Sequence, residues 1–455
     1  MTFTSWQFGI FVTVVFGLYY LPVLRTFQVH LLVLASLFFY GYGQLELLPM
    51  LAIAVLGTHL FLTLALRRRT IWLPIGIAFN LTLLAFFKYK LLFVTPTAAT
   101  LSNIPAIDFL LRLPLPIGIS FFVFHNISLL VDLTRRAEKP PPNLTSVFLY
   151  IIFFPQLVSG PIMQAANFMP QIKPKFLVDV EFVEAAKWTI TGYFFKVYVA
   201  NNLNTMTTYM DFPFYETVQW HDKWLLLILY SSQIYADFFG YSSIAVGLGR
   251  LFGYRLPENF NLPYISASFS EFWTRWHISL SSWLRTYLYI PLGGNRCGEL
   301  RTYLNLMIVM GLGGLWHGAG LSYLTWGLLH GGLLVIERPF AGTLNAANST
   351  TLRAVRVTFV FLCVSILWIF FKLPNFEQAT AYLSGMFTHN NSPRTVHLSY
   401  ALAALYTGPV IVQHLVPKAL LARLTANAEP YLYGLMVALM YVEAGPDAAF
   451  IYFQF

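Results

Sequence analysis

The sequence predicts an all-α bundle of membrane-crossing helices, and three observations carry that expectation. Of 455 residues, 57% are hydrophobic and only 10% are charged, whereas a soluble domain carries about 25% charged residues. That balance cannot supply a hydrated surface, so a soluble enzyme is excluded. The 42 Phe, 26 Tyr and 11 Trp exclude a solvated disordered coil as well. The apolar residues fall in runs near the roughly 20 residues a span needs, and the runs lack the apolar–polar alternation of barrel strands. Backbone in lipid must satisfy its own hydrogen bonds, so these runs read as helices.

In chain order the runs are 6–24, 29–45, 47–66, 71–87, 115–131, 144–162, 188–203, 224–249, 303–317, 320–337, 354–371, 398–416 and 430–443. About 11–13 hydrophobic segments are therefore expected in one integral-membrane domain, 1–455. Within it, 1–114 would hold peripheral spans, 115–337 the chemistry and 338–455 further spans. The N-terminus MTFTSWQFGIFVTVVFGLYYLP lacks the basic start and small-residue cleavage site of a signal peptide and is expected to remain as the first span.

The net charge of +9 reads as a topology signal and not as a nucleic-acid footprint. Arg67, Arg68 and Arg69, then Arg135, Arg136 and Lys139, mark two short cytoplasmic loops. Six arginines at 250, 255, 275, 285, 296 and 301 mark a third, while 204–222 has no Lys or Arg and should face outside. With the N-terminus outside, the first five spans agree. Full crossing by 144–162 would then put Lys173 and Lys175 outside. Pro155, Gly160 and Pro161 suggest instead a re-entrant element over 144–170, lining an internal cavity; a Pro-kinked span is the alternative.

Residues 262–302 are amphipathic. Trp273, Trp276 and Trp283 share one helical face, and Glu271 and Arg275 form an i,i+4 pair. Two short helices in the cytoplasmic leaflet are expected. Cys297 and Cys363 form neither a disulfide framework nor a CxxC site. The N-x-S/T matches at Asn80, Asn126, Asn143 and Asn348 are assigned no glycan.

Chemistry points first to MGLGGLWHGAGLSYLTWGLLHGG, 310–332. His317 is an ionisable group in an apolar, glycine-rich segment, and such groups at membrane depth mark functional sites. Imidazole can take and return a proton near neutral pH. Gly311, Gly313, Gly314, Gly318 and Gly320 admit a close-lying backbone or substrate; helix packing alone would also explain them. The run lacks the lysine of a nucleotide-binding loop. His277, in RWHISLSSW, could orient a substrate hydroxyl or bond a headgroup. His330 reads as structural, and Asp237, a buried charge between Tyr235 and Tyr241, as a hydrogen-bond anchor between helices. No paired-His signature occurs, so no metal is expected.

The stretches EFWTRWHISLSSWLRTYLYIPLGGNR and GLGGLWHGAGLSYLTWGLLHG, with FFPQLVSGPIMQ, IYADFFGYSSIAVGLGRLFGYRLPENFNLPY and the terminal FIYFQF, resemble the membrane-bound O-acyltransferase family. They look most like its branch of alginate O-acetylation proteins and D-alanyl transfer proteins of teichoic acids. The resemblance runs from about 115 to the end. SSWLRTYLYI lacks a basic residue expected before the Trp, which loosens the substrate assignment.

The resemblance implies a bundle around a central tunnel in the bacterial inner (cytoplasmic) membrane. Its WHG histidine maps to His317 and its RWH histidine to His277, as the catalytic pair. Trp316, Trp276, Arg275, Arg285 and Asp237 would line the tunnel or bind the donor, with Arg296 and Arg301 also near its cytoplasmic mouth. No bound cofactor is implied, only acetyl-CoA as donor substrate, whose phosphates suit arginines. Further partners would be membrane lipid and a periplasmic acetyltransferase of a polysaccharide-modifying complex. A transporter or flippase, or an acyltransferase with another acceptor (cellulose, peptidoglycan, teichoic acid, lipid or protein), is the alternative.

Overall fold

The computed structural model describes residues 1–94, 112–136, 140–157, 160–340, 349–388, 398–416 and 428–451. Among these residues every regular element is helical, so the chain is an all-α, polytopic helical bundle. By length and composition, four of the described helices can cross a membrane: Pro22–Gly41, Leu45–Ala65, Arg69–Lys90 and Thr350–Lys372. Lys139, Asn348, His389, His397, residues 158–159 and residues 452–455 lie outside the described residues.

The chain divides into two compact units, Met1–Thr189 with Ile244–Pro257, and Ile190–Ser243 with Glu258–Phe455. In the first unit, helices Leu48–Ala65, Arg69–Val94 and Ile119–Arg136 pack on one another. A buried polar cluster ties them together. Asn80 bonds Thr58 and accepts from Asn126 Nδ2 at 2.7 Å. Both asparagines are sealed inside, which agrees with assigning them no glycan.

The segment read as re-entrant is broken where its sequence contains proline. Helix Leu144–Ile152 stops at Phe153, and a single turn Phe154–Leu157 follows, with Pro155 unable to donate a backbone bond. Buried side chains satisfy the interrupted backbone. Ser36 Oγ accepts from Phe154 N at 3.1 Å, His125 Nε2 accepts from Met163 N at 3.3 Å, and the Tyr150 hydroxyl donates to the Met163 carbonyl at 2.7 Å. Irregular backbone is tolerated in such places because protein supplies the partners that lipid cannot.

In the second unit, helix Leu321–Glu337 packs against both Glu299–His317 and Thr350–Lys372. The closest approach is at Gly314 and Gly327, whose Cα atoms face each other. A Cβ on Gly314 would run into the Tyr323 carbonyl, and one on Gly327 into the Met310 carbonyl. Ser349, Asn375 and Ser399 cap the helices that follow them, each accepting from a first-turn N–H. The apolar run 188–203 is interrupted by a π-helical stretch, Phe194–Ala200.

The amphipathic region does fold as two short helices, Phe269–Arg275 and Ile278–Leu284. The shared tryptophan face does not survive, because the helix ends at Arg275 and Trp276 is extended (φ −101, ψ 130). The first helix is held at its N-terminus by Glu337, whose carboxylate accepts from Phe269 N at 2.6 Å and Ser270 N at 3.0 Å. An anion suits the positive end of a helix.

Candidate functional site

His317 is the last residue of helix Glu299–His317, just above the glycine crossing. Packing there leaves its imidazole within an aromatic cage. Ring centroids lie at 4.7 Å for Trp316, 5.1 Å for Trp326 and 4.9 Å for Phe371. Trp326 in turn packs on Trp273 at 5.8 Å and stacks on Trp368 at 5.7 Å. Rigid, well-packed rings hold a reactive side chain in one position, which positioned proton transfer requires.

One side of His317 faces a cavity of about 430 Å³. Leu306, Met310, Leu334 and Trp273 make most of its wall apolar, and Arg285 brings a guanidinium to it. An apolar cleft with a few convergent polar groups is the usual form of a small-molecule site. Gly313 also lines this space, so the helix backbone itself borders it.

His277 is fully buried and sits at the break between the two short helices, in a left-handed backbone conformation (φ 43, ψ 53). Only a few per cent of non-glycine residues adopt positive φ, and histidine is among the enriched types. Strained positions of this kind persist only where their surroundings enforce them. Asn259 is the enforcing residue: its carbonyl accepts from Ile278 N at 2.9 Å, and its Oδ1 from Ser279 N at 3.3 Å. Its Nδ2 donates to Ser242 Oγ at 2.8 Å. Asn259 thus takes bonds from N–H groups that a helix N-terminus would otherwise leave unmet.

The two histidines are linked through one indole. Trp316 lies 6.2 Å from the His277 ring and 4.7 Å from the His317 ring, centroid to centroid. Phe238 also packs against His277, ring centroids 4.5 Å apart and nearly perpendicular. Of the residues expected in the tunnel, Arg285 lines the cavity with His317. Trp276 instead packs on Trp368 at 4.9 Å, and Arg275 binds Glu271 at 2.8 Å and donates to the Asn261 carbonyl at 2.9 Å.

Asp237 lies on a second, small polar cavity of about 30 Å³, where it pairs with Lys196 at 2.7 Å and accepts from Ile451 N at 2.8 Å. Phe371 lines that cavity too, so one ring borders both the small chamber and the His317 cage. His330 is fully buried among Trp326, Trp273 and Phe272, at 4.9, 5.1 and 6.1 Å.

Sequence reasoning missed Asn259, Trp326, Phe371 and Lys196. Lys196 carried a usable signal, being a lone charge in the apolar run TGYFFKVYVA, opposite in sign to lone Asp237. Asn259 carried none, since its role is to bond backbone brought near by the fold.

A family model described as MBOAT, membrane-bound O-acyltransferase family, matches residues 17–377. Among curated relatives, "Probable alginate O-acetylase AlgI" of Azotobacter vinelandii is 37% identical over 397 residues, covering 85% of this chain and 78% of that protein. The "Peptidoglycan O-acetyltransferase" of Helicobacter pylori is 35% identical, covering 78% of this chain and 73% of its own. The "Teichoic acid D-alanyltransferase" of Bacillus subtilis is more distant, at 29% over 54% of this chain and 66% of its own.

Proposed function

The chain belongs to the membrane-bound O-acyltransferase family and is a multi-pass membrane O-acyltransferase, and on that premise we propose that it transfers acetyl from cytoplasmic acetyl-CoA to an extracellular polysaccharide such as alginate. The observation that carries this reading is the sharing of one mainly apolar cavity by His317 and Arg285. The names of the relatives, which are O-acetylating proteins of alginate and peptidoglycan, support an acetyl group and a glycan acceptor.

In the proposed reaction Arg285 grips the donor's phosphates, for which a guanidinium is well shaped. The thioester lies along the apolar wall towards His317. An acceptor hydroxyl gives its proton to His317 as its oxygen bonds the thioester carbonyl carbon. The carbon–sulfur bond then breaks, and the proton passes to the departing thiolate. General-base help of this kind is worth roughly 10²–10⁴-fold. The C-terminal end of helix Glu299–His317 carries partial negative charge beside the imidazole, favouring the positive charge that develops there during transfer. His277 orients the hydroxyl, with Trp316 setting the spacing between the two imidazoles. Walls of tryptophan and leucine keep water from the thioester.

The location is the bacterial inner membrane, and a periplasmic acetyltransferase partner would complete delivery to the polymer. The deciding experiment is His317→Ala in cells, scoring O-acetyl on the surface or secreted polysaccharide while immunoblotting for the protein. Loss of acetylation at normal protein abundance supports His317 as the base. Persistent acetylation overturns that assignment. Transfer from labelled acetyl-CoA by the purified protein tests the donor directly.

A further inference from the structure

A second large cavity, about 530 Å³, lies in the first unit and has no part in the chemistry above. It forms between the segment 170–181 and the turn 250–255, and Lys173, Lys175, Arg250 and Arg255 line it against Asp179 and Glu181. Glu181 engages both arginines, lying 2.5 Å from Arg250 and also bonding Arg255. Among the described residues, no carboxylate is within ion-pair distance of Lys173 or Lys175. Positive charge is therefore in excess at this site.

The cations are held by built structure and not by chance contact. Gln171 donates to the Arg255 carbonyl at 3.2 Å and accepts from Arg255 N at 2.7 Å, clamping the two segments together. Gln28 does the same for Lys175, accepting from its N–H at 2.9 Å and donating to its carbonyl at 3.0 Å. The Lys175 ammonium rests over the Tyr254 ring at 4.7 Å. Burial, with Lys173 and Arg255 nearby, brings Lys175 down to about 8. The fold thus crowds cations that an added anion would relieve.

The surroundings of the cavity are apolar and exposed. Phe176, Leu177, Val178, Phe182 and Val183 all present their side chains outward, Val178 at 89% exposure. Arg25 adds a fifth cation, its guanidinium 4.6 Å above the Phe176 ring. Cations flanked by exposed apolar side chains match a phosphate on an acyl chain better than a freely dissolved one.

We propose that this cavity binds the headgroup of an anionic phospholipid, with Lys173 and Lys175 meeting its phosphate and the Phe176–Val178 and Phe182–Val183 side chains meeting its acyl chains. Two lysines at a lipid phosphate predict a loss of about 30-fold in lipid binding when both charges go.

The test uses the full chain in detergent and native mass spectrometry with added dioleoyl phosphatidylglycerol, dioleoyl phosphatidylcholine or inorganic phosphate. Phosphatidylglycerol is expected to be retained and phosphatidylcholine not. The double variant Lys173→Gln, Lys175→Gln should lose phosphatidylglycerol by about 30-fold, and Lys173→Arg, Lys175→Arg should keep it. The arginine variant keeps the test decisive if the glutamine variant misfolds: failure of the folded arginine variant to retain the lipid overturns the proposal. Equal retention of both lipids, undiminished binding by the folded glutamine variant, or displacement of phosphatidylglycerol by millimolar inorganic phosphate overturns it as well, the last pointing to a soluble-anion site.

Discussion

Lys196 Nζ lies 2.7 Å from Asp237 Oδ1, and both side chains are almost entirely sealed from solvent. The pair also holds the chain's C-terminal segment, because Lys196 donates to the Ala448 carbonyl at 2.9 Å and Asp237 accepts from Ile451 N at 2.8 Å. Removing one partner leaves a buried charge uncompensated, which costs about 3–5 kcal/mol. Asp237→Ala should therefore lower the thermal midpoint of the solubilised protein sharply. The double variant Lys196→Met, Asp237→Leu should recover most of that loss, as replacing both partners by apolar groups often does.

His277 combines an unusual backbone with a candidate chemical role, and two substitutions separate them. Asparagine tolerates the left-handed region, whereas a β-branched residue there is strained by about 1–2 kcal/mol. His277→Asn is expected to accumulate normally yet transfer acyl groups poorly. His277→Val is expected to lower abundance too, as read by immunoblot beside an acyl-transfer assay.

If His277 has the role proposed for it, Asn259 acts through it as a positioning residue. Asn259→Ala removes the acceptor for Ser279 N and the donor to Ser242, a loss of about 1–3 kcal/mol from a buried backbone group left unmet. The expected kinetic signature is a fall in kcat larger than any rise in KM. A purely structural role would instead reduce the amount of active enzyme with KM and pH profile unchanged.

The glycine crossing should reject any side chain. Gly314→Leu or Gly327→Val would force the two helices apart, with overpacking worth about 1–3 kcal/mol or more. Gly332, within the same helix but with open space for a Cβ, serves as the control: Gly332→Ala should not lower the thermal midpoint and should raise it slightly, helix propensity favouring Ala by about 0.5–1 kcal/mol.

Lys175 yields a pH dependence. Its pKa is brought from 10.5 to about 8 by burial and neighbouring cations, so between those values the unfolded chain binds the proton that the folded chain has released. Stability then rises with pH across that window. Lys175→Gln should flatten the rise in thermal midpoint measured from pH 8 to pH 10.

Helix type and placement were legible because apolar runs in lipid leave few alternatives, and the break at 153–155 was legible because Pro155 cannot continue a backbone ladder. His317 and His277 stood out as ionisable groups in apolar or interfacial sequence. The cage was not legible. Trp326 and Phe371 look like ordinary core aromatics, and only the approach of their helices puts them against His317. The single tryptophan face expected over 273–283 failed because Asn261 N donates to the Arg275 carbonyl and Asn259 accepts from Ile278 N and Ser279 N, so both sides of the helix break are satisfied. Asp237 was noticed alone, although Lys196 has the complementary pattern.

On the proposed reading, the cavity beside His317 would also serve as a ruler. Its wall follows one helix from Leu306 to His317, eleven residues that at 1.5 Å each make about 16 Å. On that reading, a donor whose phosphates sat as far from the imidazole as Leu306 would reach it only through a thin arm of about that length. Compact activated acids, with charge and acyl group a few bonds apart, would be too short to do both, so reach alone would select among acyl donors of equal reactivity.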